Sequence, residues 1–254
     1  MIGDMVEMVS KEILDWLKEQ PAVKEESITD SLLYKISKST KLIKYIAFPR
    51  NEESKKTGAD WEWWFHFTKT AIRFRVQAKK INVSRKNCKG SITYKGNTYN
   101  QYKKLIADSY ATNSIPVYAL YSSVKSSLQC GKNKNDEGVY IAGATQIETC
   151  ARMNKAKTED LLLMSIPLSC LFKCPLVNDD YSHFVESYFG LELIKMKSNN
   201  ISSPGIYQKI PDEVLNILRQ ETQDSETNYC DKYSVNAIVY VDMRRKNEDK
   251  SSNI

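Results

Sequence analysis

Two histidines in 254 residues, His66 and His183, leave no material for a histidine-rich metal centre. No apolar run approaches the ~20 residues that span a bilayer. The opening stretch MIGDMVEMVSKEILDW carries acids, where a signal peptide would carry a basic segment, an apolar core and a small-residue cleavage site. No membrane partner is therefore expected, and a cytoplasmic location is. Six cysteines (Cys88, Cys130, Cys150, Cys170, Cys174, Cys230) are scattered along the chain, so reduced thiols are the default reading. Cys170 and Cys174 share a helical turn in CLFKC, but a structural zinc would call for a second pair at matching spacing, and the sequence has none. Internal repeats and a clear linker are also missing.

Acids are missing locally. Overall 37 bases face 31 acids, a net charge of +6 and an isoelectric point near 8.8. Between Lys69 and Lys104, however, eleven Lys and Arg occur with no acid among them. Such a stretch suits a nucleic-acid partner, and a plain solvated face is the other reading.

The remainder reads as alternating helices and strands. Met5, Met8, Val9, Ile13, Leu14 and Leu17 fall at helical spacing before Pro21. A second helix is expected over EESITDSLLYKISKS, capped by Ser27 or Thr29. Residues 42–48 read as a strand, and residues 60–67 and 71–81 as a hairpin turning at 68–71. In its second strand Ile72, Phe74, Val76 and Ala78 share one face, and Arg73, Arg75, Gln77 and Lys79 the other. A helix over 99–112 leads to IPVYALY, an apolar strand of the kind covered on both sides. Later come the strand VYIAG, a helix ending at Gly190 as C-cap, a helix over IPDEVLNILRQE and a late strand in YSVNAIVYVDM. The order helix, three strands, helix, strand implies an α/β fold with a mixed sheet. Residues 1–122 would form the core, 123–243 a C-terminal elaboration of the same domain, and 244–254 a disordered tail.

Residues 55–67, KKTGADWEWWFHF, hold three of the four tryptophans around two acids. Strand alternation separates them: Asp60 and Glu62 share one face with Trp64 and His66, while Trp61 and Trp63 point to the other. A hairpin centred between 69 and 70 returns Gln77 and Lys79 beside Asp60. An acid, an amide oxygen and a lysine at one strand end suit metal-assisted phosphodiester hydrolysis, since Mg²⁺ takes hard oxygen ligands and keeps several waters. A cross-hairpin pairing of Lys79 with Asp60 or Glu62 is the simpler explanation of the same pattern. Arg73, Arg75 and Lys80 could track a phosphate backbone, and Tyr94, Tyr99 and Tyr102 could stack on bases or pack under the sheet.

TGADWEWW, followed by RVQAKKI, a helix containing QYKKLI and the strand IPVYALY, resembles a bacterial family with a GADWEWW…QAK signature. That family looks like a branch of the PD-(D/E)XK nuclease superfamily. The likeness covers residues 25–122. It implies a restriction-endonuclease-like α/β/α sandwich whose core order is the one read above, and hydrolysis of DNA with Mg²⁺ or Mn²⁺ in defence against foreign DNA. By the resemblance, Asp60 is the metal-binding aspartate, Lys79 the motif lysine, and Gln77 stands where most members carry an acid. Glu26 matches an acid from the first core helix, and Gln101 a polar residue placed near the substrate phosphate. Ala59 stands where the motif proline would be. Glu62 or Glu26 could replace the carboxylate that Gln77 lacks, so Asp60 and Glu62 are the expected metal ligands. The alternative is a catalytically inactive module that keeps the fold and binds nucleic acid or protein. A homodimer, or a subunit active within a larger complex, is compatible with either.

Overall fold

The computed structural model describes residues 2–48, 58–81, 101–124, 137–153, 157–174, 181–219, 229–230 and 232–244. Helices α1 (Ile2–Glu19) and α2 (Glu25–Ser39) precede strands β1 (Ile43–Ala47), β2 (Trp61–His66) and β3 (Ala71–Lys80). Then follow α3 (Gln101–Ala111), β4 (Ile115–Tyr121), β5 (Val139–Gly143), α4 (Ala144–Arg152), α5 (Thr158–Leu163) and β6 (Ile166–Pro167). The rest comprises α6 (Cys170–Lys173), α7 (Tyr181–Ser198), β7 (Ile206–Tyr207), α8 (Asp212–Arg219) and β8 (Ala237–Asp242).

One mixed, open sheet of eight strands runs β1-β8-β2-β3-β4-β5-β6, with β7 paired to the start of β3. β8 is antiparallel to β1 and parallel to β2, β2 and β3 form the hairpin, and β3 runs parallel to β4. The chain is thus mixed α/β, with helices flanking the sheet. The expected core elements are all present. The late strand, expected in an elaboration beyond the core, instead lies inside the sheet between β1 and β2.

Each face of the sheet has its own core. Trp61, Trp63, Phe65, Phe74, Val76 and Val117 pack under α1, α2, α6 and α7. Trp64, Tyr118, Leu120 and Tyr140 pack under α3, α4, α5 and α8. The expected division of the tryptophans between the faces therefore holds, and β4 is buried along its whole length. Because β3 is covered on both sides, its arginine face is buried too.

Some local expectations fail for identifiable reasons. α2 starts at Glu25, so Lys24 occupies the N-cap and makes no side-chain cap bond; Thr29 lies inside the helix and donates to Glu25 O (3.1 Å). Ile2 and Val6 take the buried stripe of α1, and Met8 is exposed. α7 continues through Gly190 with a kink at Phe189 (φ −122°, ψ 21°), so Gly190 is no C-cap. Cys150, Cys170, Cys174 and Cys230 are buried and form no disulfide, while Cys88 and Cys130 lie outside the described residues. No helix among the described residues is long and apolar enough to cross a membrane.

Candidate active site

Gly58 sets the position of Asp60. Its φ is +78°, and a Cβ there would stand 3.1 Å from both Gln101 O and Leu105 N. Only glycine combines that conformation with so close an approach to a helix backbone. The chain then enters β2 with Trp61 opposite Val76, a register that puts Gln77 opposite Asp60. Asp60 N–H donates to Val76 O (2.7 Å), and Asp60 O accepts from Asn236 N–H just before β8 (2.9 Å). Both neighbouring strands thus hold the backbone of this residue.

The side chains form a connected row across β2, β3 and β4. Asp60 Oδ2 accepts from Gln77 Nε2 (2.6 Å) and from Ala78 N–H (2.7 Å). Gln77 Nε2 also donates to Ala78 O (3.0 Å), and Gln101 Nε2 donates to Gln77 Oε1 (2.7 Å). Tyr118 lies beside Gln77 in the parallel register and is wholly buried, its hydroxyl without a hydrogen-bond partner. Gln101 Oε1 is likewise buried and unpartnered.

Glu25, at the start of α2, closes the row from the strand end. Its Oε2 accepts from Lys80 N–H (2.6 Å), and its Oε1 lies 3.5 Å from Lys79 Nζ. Burial pushes the Asp60 carboxyl up to about 7. The Ala78 N–H opposes that shift, the Glu25 charge adds to it, Lys79 opposes it and Glu26 adds to it. A carboxyl at this pKa sits between its two charge states at neutral pH.

Asp60, Gln77, Lys79 and Gln101 therefore come together as the sequence suggests. Other expected residues do not join them. Glu26 is exposed on α2 and acts on Asp60 only through its charge; its neighbour Glu25 makes the contacts. The EE pair marks the position, but the choice between the two depends on where the helix begins. Glu62 is not available as a metal ligand. It is fully buried, takes two hydrogen bonds from Arg73 (Nε 3.1 Å, Nη2 2.5 Å) and one from Tyr229 Oη (2.6 Å), and lies 3.6 Å from Arg75 Nε. The neighbouring Arg73 and Arg75 charges hold its carboxyl below the usual range, against the cost of burial.

Arg73 and Arg75 likewise cannot track a phosphate backbone. Arg73 stacks over Trp64 and Tyr233 (5.1 and 4.6 Å) and donates to Thr112 O (2.8 Å). Arg75 pairs with Asp108 (2.7 Å) and donates to Tyr233 O. Lys80 donates to Pro21 O (2.9 Å) and Val23 O (2.6 Å), tying β3 to the turn before α2. Tyr102 packs in the core. His66 shares a 2.8 Å hydrogen bond with Tyr240 Oη. Tyr94, Tyr99 and most of the acid-free stretch lie outside the described residues. A groove lined by Lys103, Ile106, Tyr110 and Glu148 shares no residue with the row.

A family of unknown function, DUF6615, matches residues 2–250. The chain belongs to this family. No curated protein and no solved structure matches it. Membership in DUF6615 names no chemistry, so the Asp60 row has to be read from its own groups. Among the described residues no three His, Cys, Asp or Glu side chains gather as a metal-holding group. A cation at Asp60 would draw on amide and main-chain oxygens and on water as well. The donor set suits that: Asp60 Oδ2 and Ala78 O converge on one point, now taken by the Gln77 NH₂, and Glu25 lies close enough for its charge to act on Asp60. Hard oxygens with room for water are what Mg²⁺ and Mn²⁺ accept.

Proposed function

We propose that this chain is a metal-dependent nuclease with a restriction-endonuclease-like core, hydrolysing phosphodiester bonds in DNA. The convergence of Asp60, Gln77, Ala78 O, Glu25 and Lys79 at one end of the β2–β3 hairpin carries this reading. It agrees with the resemblance of GADWEWW…QAK to the PD-(D/E)XK superfamily. Asp60, Gln77 and Glu25 would hold the ion, and Ala78 would add its carbonyl. When bound, a divalent ion would polarise the scissile phosphate and lower the pKa of a water. Lys79 supplies a cationic donor that aligns the attacking water or offsets charge on the phosphate in the transition state. Glu25, 3.5 Å from Lys79 Nζ, restrains that side chain.

The test is cleavage of supercoiled and linear DNA with Mg²⁺ or Mn²⁺, RNA being assayed in parallel. Lys79→Ala is expected to lower the rate by roughly a hundredfold or more, without lowering the melting temperature by more than a few degrees. Cleavage that survives the substitution removes Lys79 from the mechanism. A second reading, a binding module without catalysis, draws on one observation: Gln77 closes over Asp60 with its NH₂. That module would bind DNA with a steep salt dependence and take up no Mn²⁺ in calorimetry.

A further inference from the structure

The side-chain amides of Gln77 and Gln101 are joined head to tail. Gln101 Nε2 donates to Gln77 Oε1 at 2.7 Å, and Gln77 Nε2 donates to Asp60 Oδ2 at 2.6 Å and to Ala78 O at 3.0 Å. The far end of the chain, Gln101 Oε1, is buried and unpartnered. A carboxamide carries an acceptor on one side and a donor on the other. Two amides paired in this way must turn together, because turning one alone sets oxygen against oxygen or NH₂ against NH₂. In the present orientation Gln77 offers Asp60 a donor, which satisfies a carboxylate and repels a cation.

We propose that Gln101 is a positioning residue that sets, through Gln77, whether the Asp60 site presents an amide donor or an amide oxygen. This rests on the reading that Asp60 holds a divalent cation. For Gln77 to present its oxygen there, its NH₂ must swing toward Gln101, whose oxygen must swing inward to accept it. The one unsatisfied atom of the resting pair is thereby satisfied, and a Gln101 NH₂ takes its buried place. The pair passes between two hydrogen-bond polarities, each of which keeps the Gln77–Gln101 bond and leaves the far group of Gln101 unpartnered, and the cation selects one of them. An acid at position 77 would need no such partner, because both of its oxygens accept. Gln101 matters because residue 77 is an amide.

The experiment is Mn²⁺ titration of the full chain by calorimetry, in a cycle of four proteins: unaltered, Gln101→Glu, Gln77→Glu and the double variant. A carboxylate at 101 can only accept, so it holds the Gln77 NH₂ outward and its carbonyl toward Asp60. Gln101→Glu is expected to tighten Mn²⁺ binding at least tenfold more when residue 77 is Gln than when it is Glu. The second comparison isolates the effect of added charge. Equal gains in the two backgrounds overturn the relay and leave the cation reading standing. A chain that takes up no Mn²⁺ in any of the four forms overturns both. A second measurement needs no substitution at 101. Mg²⁺ is expected to shift the Gln101 side-chain amide nitrogen resonance in the unaltered chain and to leave it in place in Gln77→Glu. The same shift in both proteins also overturns the relay.

Discussion

Tyr118 carries a hydroxyl with no partner in a fully buried position beside Gln77. Leaving a buried hydroxyl unpaired costs about 1–3 kcal/mol. Burial first, and then the Asp60 and Glu25 charges, push its pKa far up, so it stays protonated and able to donate. Tyr118→Phe keeps the ring and removes the cost. The melting temperature is expected to rise by about 2–4 °C, as roughly 1 kcal/mol gives in a chain of this size. Scanning calorimetry reads the effect, and a lower melting temperature would show that the hydroxyl has a partner. At this scale the sequence was legible for Asp60, Gln77 and Lys79, whose spacing follows from a two-residue period and a short turn. It was not legible for Tyr118, which sits in the apolar run IPVYALY where only its ring is informative. Glu25 against Glu26 was undecidable, because one residue of helix register rotates the carboxylate by about 100°.

At the scale of elements, buried Glu62, Arg73 and Arg75, with half-buried Asp108, tie β2 and β3 to α3 and to the segment carrying Tyr229 and Tyr233. Two acids balance two bases. Glu62→Gln leaves the two guanidinium groups with one acid between them, and breaking a buried pair in this way costs about 3–5 kcal/mol. The melting temperature is expected to drop by about 10 °C, with Mn²⁺ affinity of the folded protein unchanged. A loss of Mn²⁺ binding at unchanged stability would return Glu62 to the proposed metal site. Alternation correctly placed Arg73 and Arg75 on one face of β3. What covers that face comes from positions 108, 112, 229 and 233, and a strand's own pattern carries no information about its distant neighbours. In the sequence alone a buried basic face therefore looks the same as a solvent face.

For the whole molecule, pH adds up the buried carboxyls. Burial raises Asp60, Glu137 and Glu192 to about 7 each, although Glu137 accepts from Ser169 and Glu192 from Thr145 N–H (2.8 Å). Between their unfolded values near 4 and these folded values, the folded chain holds protons that the unfolded chain has released. Stability must fall as pH rises through that window. Glu62 works in the opposite sense: its stabilisation is in place above the ordinary glutamate value and fades only in more acid solution. The melting temperature is expected to be about 5 °C or more higher at pH 5.5 than at pH 8, measured by calorimetry at constant ionic strength. An equal or higher value at pH 8 would contradict the burial of these groups. The order of the core elements over residues 25–122 was readable from periodicity. The place of β8 was not, because adjacency in a sheet is decided by pairing partners far apart in the chain.

That strand carries a consequence for how the protein is made. Glu62 lies opposite Ile238, 176 positions later, and Asn236 N–H caps the carbonyl of Asp60 itself. A ribosome adds about 5–20 residues per second, so β1 and β2 wait on the order of ten seconds or more for the strand that joins them. During that interval two sheet edges stand open, and the residue at the centre of the candidate site lacks one of its two backbone anchors. The second backbone anchor of Asp60 is thereby postponed until residue 236 has emerged, so a nascent fragment would lack the activity proposed for this site.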